Sequence, residues 1–202
     1  MSPELILLIA DRLGVFVFAV SGGVVAVRKE MDLFGVIVMA FLPAVGGGTL
    51  RDLILDAPVF WLSDKVTLGL AVAGGLTAFA FHRAINRFRP LRWADALGMA
   101  FFAVTGAAKA MALGHTLPVI LIMAAMTASA GGLIRDVVAN EEPLLLKQDI
   151  YATAALLAGL VYFAGISLGA GELASVALGI LAGVFLRGLG IVFGLSLPRS
   201  RP

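Results

Sequence analysis

Seven apolar runs, each close to the length that crosses a bilayer, divide this chain: 3–27, 33–55, 66–85, 94–113, 117–139, 150–168 and 173–195. Gaps bearing charged residues or proline separate them, except the short Gly-His-Thr at 114–116. An α-helix rises about 1.5 Å per residue, so roughly 20 apolar residues match a hydrocarbon core about 30 Å thick. Composition agrees, with 60% hydrophobic residues, 14% charged residues and a mean hydropathy of +1.02. Soluble domains carry about 25% charged residues. Seven spans in 202 residues leave no room for a soluble domain. The chain is predicted to be an all-α polytopic protein, one transmembrane domain over 1–202, with membrane lipid as its surroundings.

The net charge of +2 and pI of 9.3 do not call for a nucleic-acid partner, because the basic residues sit in the gaps, where topology accounts for them. Arg28 and Lys29 follow the first run, Arg83, Arg87, Arg89 and Arg92 the third, and Arg199 and Arg201 the seventh. The alternate gaps hold Lys65 and no other Lys or Arg. These positions predict an N-terminus outside and a C-terminus in the cytoplasm of a cell that keeps the protein in its inner (plasma) membrane. The gap after the fifth run is mainly acidic, with Glu141, Glu142 and Asp149 beside Lys147, and acidic residues count little in this rule. Met1 opens almost directly into a span with no small-residue cleavage pattern, so no signal peptide is expected.

The chain also repeats itself. Shifted by 84 residues, positions 11–52 overlay 95–136 without a gap, and 16 of the 42 pairs are identical. Among them are Asp11/Asp95, Gly14/Gly98, Phe18/Phe102, Gly22/Gly106, Gly47/Gly131, Gly48/Gly132, Arg51/Arg135 and Asp52/Asp136. Each copy holds three spans, an odd number, so the second must enter the membrane upside down. The expected organisation is two inverted three-helix repeats, 3–85 and 94–168, followed by an extra helix at 173–195.

Gly46, Gly47 and Gly48 lie in the second span, and Ala130, Gly131 and Gly132 at the matching place in the fifth. Glycine costs about 1 kcal/mol relative to Ala inside a helix, and Pro43 nearby removes a donor. Small residues also serve close helix packing in membranes. Three in a row, repeated at matched depth, are read as helix breaks whose bare carbonyls could line a cavity and meet a cation. Arg51-Asp52 and Arg135-Asp136 follow each cluster, expected at the two mouths of one pathway, although such charges could instead snorkel or pair locally. Lys109 lies inside the fourth span opposite the apolar Val25 of the first copy. It reads as a gate in the pathway or a partner for an acidic group, with snorkelling to headgroups as the plain alternative. Thr49, Thr127 and Ser129 track the clusters, and Ser21 and Thr105 match across the first helix of each copy. Such hydroxyls often bond back to their own helix.

Cys is absent, which excludes disulfides and thiolate metal sites. His82 and His115 fall at span ends, Trp61 and Trp93 at interfaces, and no His, Asp and Glu set has metal-site spacing. No arrangement suggests catalysis, a cofactor or a bound metal beyond transient potassium at kink carbonyls.

Three plus three plus one spans, with Gly-Gly-Gly-Thr-Leu-Arg-Asp at 46–52 and Ala-Gly-Gly-Leu-Ile-Arg-Asp at 130–136, resemble the prokaryotic branch of the trimeric intracellular cation (TRIC) channel family. The resemblance spans essentially the whole chain. It implies a homotrimer in which each protomer holds its own pore between the repeats, kinked at the glycine clusters and permeable to potassium, sodium and other monovalent cations. Ala130 departs from a full triple glycine, which implies a shallower second kink. Bacterial relatives of the same domain have also been regarded as transporters of a small amino acid, glycine, so a secondary transporter is the alternative.

Overall fold

The computed structural model describes residues 2–81, 90–147 and 150–195. Eight helices account for most of them: α1 (Pro3–Arg28), α2 (Leu33–Ile54), α3 (Lys65–Ala80), α4 (Pro90–Ala112), α5 (Leu117–Val138), α6 (Leu144–Lys147), α7 (Ala152–Ser167) and α8 (Glu172–Phe193). Seven follow the apolar runs, and the four-residue α6 is an addition that no periodicity announces. By length and composition α1, α2, α5 and α8 are able to cross a membrane, while α3 and α7 are apolar but 16 residues long. Arg83, Arg87, Arg89, His82, Asp149, Arg199 and Arg201 lie outside the described residues.

Local chemistry sets the helix ends. The Ser2 hydroxyl accepts from the Leu5 N–H ahead of Pro3, and Asp32 accepts from the Gly35 N–H at 2.8 Å. Asp64 caps α3 by accepting from Val66 at 2.9 Å, and an ion pair with Arg12 at 3.2 Å ties that cap to α1. The turns after α1 and α4 each use one left-handed residue, Glu30 and Gly114, and the turns after α2 and α5 use Asp56 and Asn140. These pairs keep the 84-residue offset, so the repeat extends to backbone conformation.

α1, α2 and α3 pack on one another, as do α4, α5 and α7; the two groups meet through α1 on α4 and α2 on α5. α8 packs on α7 and α4. At the α1–α4 contact Phe18 and Phe102 stack with centroids 5.2 Å apart. Each ring rests on the glycine of the other copy: a Cβ at Gly98 would lie 2.7 Å from the Phe18 ring, and one at Gly14 2.9 Å from the Phe102 ring.

The expected breaks at Gly46–Gly48 and Ala130–Gly132 are absent. α2 and α5 run as continuous helices through both clusters, so the carbonyls there stay in the helical ladder. The reason is the crossing of the two helices. A Cβ at Gly47 would stand 2.1 Å from the Thr127 carbonyl oxygen, and one at Gly131 2.4 Å from the Pro43 carbonyl oxygen. Such backbone-to-backbone approach needs glycine and sets the two helices in close van der Waals contact. Tertiary packing overrides the weak helix propensity.

Pro43 leaves the Met39 carbonyl without its usual donor, and Gly22 packs against that oxygen, where a Cβ would lie 2.0 Å away. In the second copy the corresponding Thr127 hydroxyl donates to the Met123 carbonyl at 2.6 Å, with Gly106 against it. One group is answered by close packing, the other by a hydroxyl.

Candidate functional site

Each Arg–Asp pair closes the helix that carries it, and all four side chains are buried. Asp52 Oδ2 accepts from the Phe60 N–H at 2.9 Å, and Asp136 Oδ2 accepts from the Leu144 N–H at 2.9 Å. Their main-chain carbonyls accept from Ala57 at 2.8 Å and Glu141 at 2.9 Å. Each carboxylate therefore folds the departing chain back over its own helix end, which satisfies donors that would otherwise be buried alone. α6 begins at Leu144 on such a bond.

The guanidinium beside each Asp recruits a third charge. Arg135 Nε donates to Asp136 Oδ1 at 2.7 Å, and its Nη1 donates to Asp95 Oδ1 at 2.6 Å and to the Ser21 hydroxyl. Ser21 belongs to the other copy, so this hydrogen bond joins α1 to α5. Arg51 Nε likewise donates to Asp52 Oδ1 at 2.7 Å, but its Nη1 stands 3.7 Å from Asp11 Oδ1, beyond hydrogen-bond reach. The structure brings Lys109 here: its Nζ donates to Asp52 Oδ1 at 2.7 Å. The ammonium is thus paired with an acidic group. In the second copy the Arg135 fork itself fills the matching position, with Nη2 2.7 Å from Asp136 Oδ1.

The two sites differ in their access to solvent. Around Arg135 the side chains of Asp95 and Arg135 are 0% exposed. Around Arg51 the Asp11 side chain is 15% exposed and that of Lys109 29%. One site is closed, and the other is partly open at the surface of the protomer.

Hydroxyls near the crossing serve their own helices: Thr49 donates to the Val45 carbonyl and Ser129 to the Ala125 carbonyl, each at 2.7 Å, in the manner of Thr127. Thr49 also accepts from Trp61 Nε1 at 2.9 Å, and Trp61 meets the Phe41 ring edge-on. Trp61 is thus packed onto α2, whereas Trp93 and His115 are exposed. Thr105 is buried near Asp11. Among the described residues no three His, Cys, Asp or Glu side chains gather as metal ligands would.

Motif reading had not placed Asp11 and Asp95 in the sites, although their identity across the repeat was the available signal. Phe60, Tyr151 and Arg187 carried none. Arg51 lies over the Phe60 ring at 5.5 Å, and the buried Arg187 of α8 lies over the Tyr151 ring at 5.0 Å.

A bundle of apolar helices with a buried carboxylate–guanidinium cluster in each half defines a polytopic membrane protein built by duplication. The family profile described as "Glycine transporter" matches residues 8–83 and again 92–167, two matches that start 84 residues apart. The chain belongs to that family, and its near full-length superposition on TRIC channel structures at 30–37% identity makes it a prokaryotic member of the TRIC channel family. It is 36% identical over 199 residues to a UPF0126 membrane protein of Vibrio cholerae, covering 96% of this chain and 82% of the relative. The UPF0126 inner membrane protein YadS of Escherichia coli is 39% identical over 157 residues, 75% of each chain. Among solved structures, the TRIC trimeric intracellular cation channel orthologue from Rhodobacter sphaeroides superposes at a TM-score of 0.88 with 37% identity, covering 94% of this chain and 98% of that one. A prokaryotic TRIC channel in 0.5 M KCl gives a TM-score of 0.88 at 30% identity over 96% of this chain and 100% of that one.

Proposed function

We propose that the protein is a monovalent cation channel of the inner membrane, a homotrimer in which each protomer conducts potassium between its two inverted repeats. The observation that carries this reading is the near full-length superposition, at 37% identity, on a TRIC channel orthologue. The reciprocal glycine contacts at the crossing favour a pseudo-two-fold relation between the copies. Because that crossing is closely packed, the path flanks it and is governed at its ends by the Arg51–Asp52 and Arg135–Asp136 sites, with Lys109 latched on Asp52. Thr49, Thr127 and Ser129 are candidate lining groups on the crossing helices.

Reconstitution in a planar bilayer under a potassium chloride gradient tests the reading. Ohmic unitary currents that reverse near the potassium potential are expected. Saturable glycine uptake into proteoliposomes without such currents would instead favour a transporter, the activity named in the family description. The continuous α2 and α5 remove the helix breaks on which both the kinked pore and alternating access drew, so the family likeness and not the glycine clusters carries the channel reading.

A further inference from the structure

The first turns of α1 and α8 share a groove of about 600 Å³. Pro3 and Ile6 line it from α1, and Glu172, Leu173 and Ala177 from α8. Both helices are long and apolar enough to cross a membrane, and α8 is the most lightly covered of the four that are. The groove therefore opens where a spanning helix begins, at the level of lipid headgroups. An apolar track continues from it. Leu173, Ala177, Leu181 and Phe185 recur every four residues and so share one face of α8, and Leu181 and Phe185 are exposed. On α1, Ile6, Ile9 and Leu13 recur at three- and four-residue steps, with Ile9 and Leu13 exposed.

At the head of this track stands one fixed negative charge. Glu172 Oε1 accepts from the Tyr162 hydroxyl at 2.9 Å, which anchors the carboxylate to α7. Among the described residues no Lys or Arg pairs with it. Gly171 opens α8 without a side-chain cap, so the first N–H groups of that helix lack a side-chain acceptor. An acceptor for a cation and donors for an anion thus sit side by side above apolar surface.

We propose that the α1–α8 groove binds a zwitterionic phospholipid with a primary ammonium headgroup. Its ammonium donates to the Glu172 carboxylate, its phosphate faces the opening N–H groups of α8, and one acyl chain lies along Leu173, Ala177, Leu181 and Phe185. Glu172 selects the headgroup, because a carboxylate attracts an ammonium and repels a headgroup of net negative charge. From Gly171 to Ala177 the groove runs about 9 Å at 1.5 Å per residue, room for the upper part of one chain, and the exposed track receives the rest. A water-soluble zwitterion would leave that track bare.

Native mass spectrometry of the full chain released from detergent, with phosphatidylethanolamine or phosphatidylglycerol added, tests the site. One retained phosphatidylethanolamine per protomer is expected, at several-fold higher occupancy than phosphatidylglycerol at equal concentration. Glu172→Gln keeps the groove and removes the charge, so it should bring the two occupancies together. Ala177 is exposed, and Ala177→Phe fills the groove without entering the core, so it should lower retention of both lipids. Melting in the same detergent gives a second readout: phosphatidylethanolamine should raise the Tm of the wild type more than that of either variant. Equal retention of the two lipids by the wild type, or a preference unchanged in both variants, overturns the proposal. So does loss of trimers in Ala177→Phe with lipid retention unchanged, which would assign the groove to a neighbouring copy. If Glu172→Gln does not fold, the wild-type preference and Ala177→Phe decide.

Discussion

Arg135 meets Asp95, Asp136 and Ser21 from a position with no solvent exposure. A lysine there would offer a point charge where the site is shaped for a planar fork, and would leave at least one carboxylate buried without its partner. Arg135→Lys is therefore expected to destabilise the fold by about 3–5 kcal/mol, the range for breaking a buried pair. Arg51→Lys should cost clearly less, because Lys109 already holds Asp52 and Asp11 stands off. Thermal unfolding in detergent compares the two, and equal shifts would contradict the asymmetry of the sites. Lys109→Ala should raise cation conductance or open probability in single-channel records, since it releases the latch on Asp52 while Arg51 retains that carboxylate. Unchanged currents would reduce Lys109 to an anchor. The Arg–Asp motif made these four side chains legible in the sequence. Asp11, Asp95, Phe60 and Arg187 were not, because their place in a site depends on which helix crosses which.

Among elements, α2 and α5 separate what a local pattern announces from what only packing decides. Their extents follow from apolar length and from caps such as Asp32, and both agree with the structure to within a residue or two. Their glycine clusters do not speak for themselves. Low helix propensity reads as a break when the neighbour is unknown and as a seat once the neighbour's carbonyl is found 2.1 Å from a Cβ at Gly47. Gly47→Ala must then push two backbones apart, at a cost of about 1–3 kcal/mol. Gly69, in α3 with nothing within 4 Å of its would-be Cβ, is the control: Gly69→Ala should be neutral or stabilising by up to about 1 kcal/mol. Melting temperatures of the two variants test the assignment, and a neutral Gly47→Ala would remove the crossing as a fixed point.

For the whole molecule, the Lys29–Glu141 ion pair at 3.4 Å joins the end of α1 to the segment after α5. That contact is what the proposed inverted repeat requires, since it would set both gaps on one side of the membrane. Reporter fusions at the C-terminus should read cytoplasmic, and an outside reading would reverse the orientation without disturbing the pairing of the copies. The crossing also bears on how such a chain changes over generations. Gly47 leans on Thr127 and Gly131 on Pro43, so neither half can vary there unless the other half yields in step. No such reciprocity ties Val25 to Lys109: Val25 is buried, and Lys109 reaches across to Asp52. Divergence between the duplicated halves is thus steered toward positions without a matched partner, and a molecule begun as two equal parts acquires a front and a back.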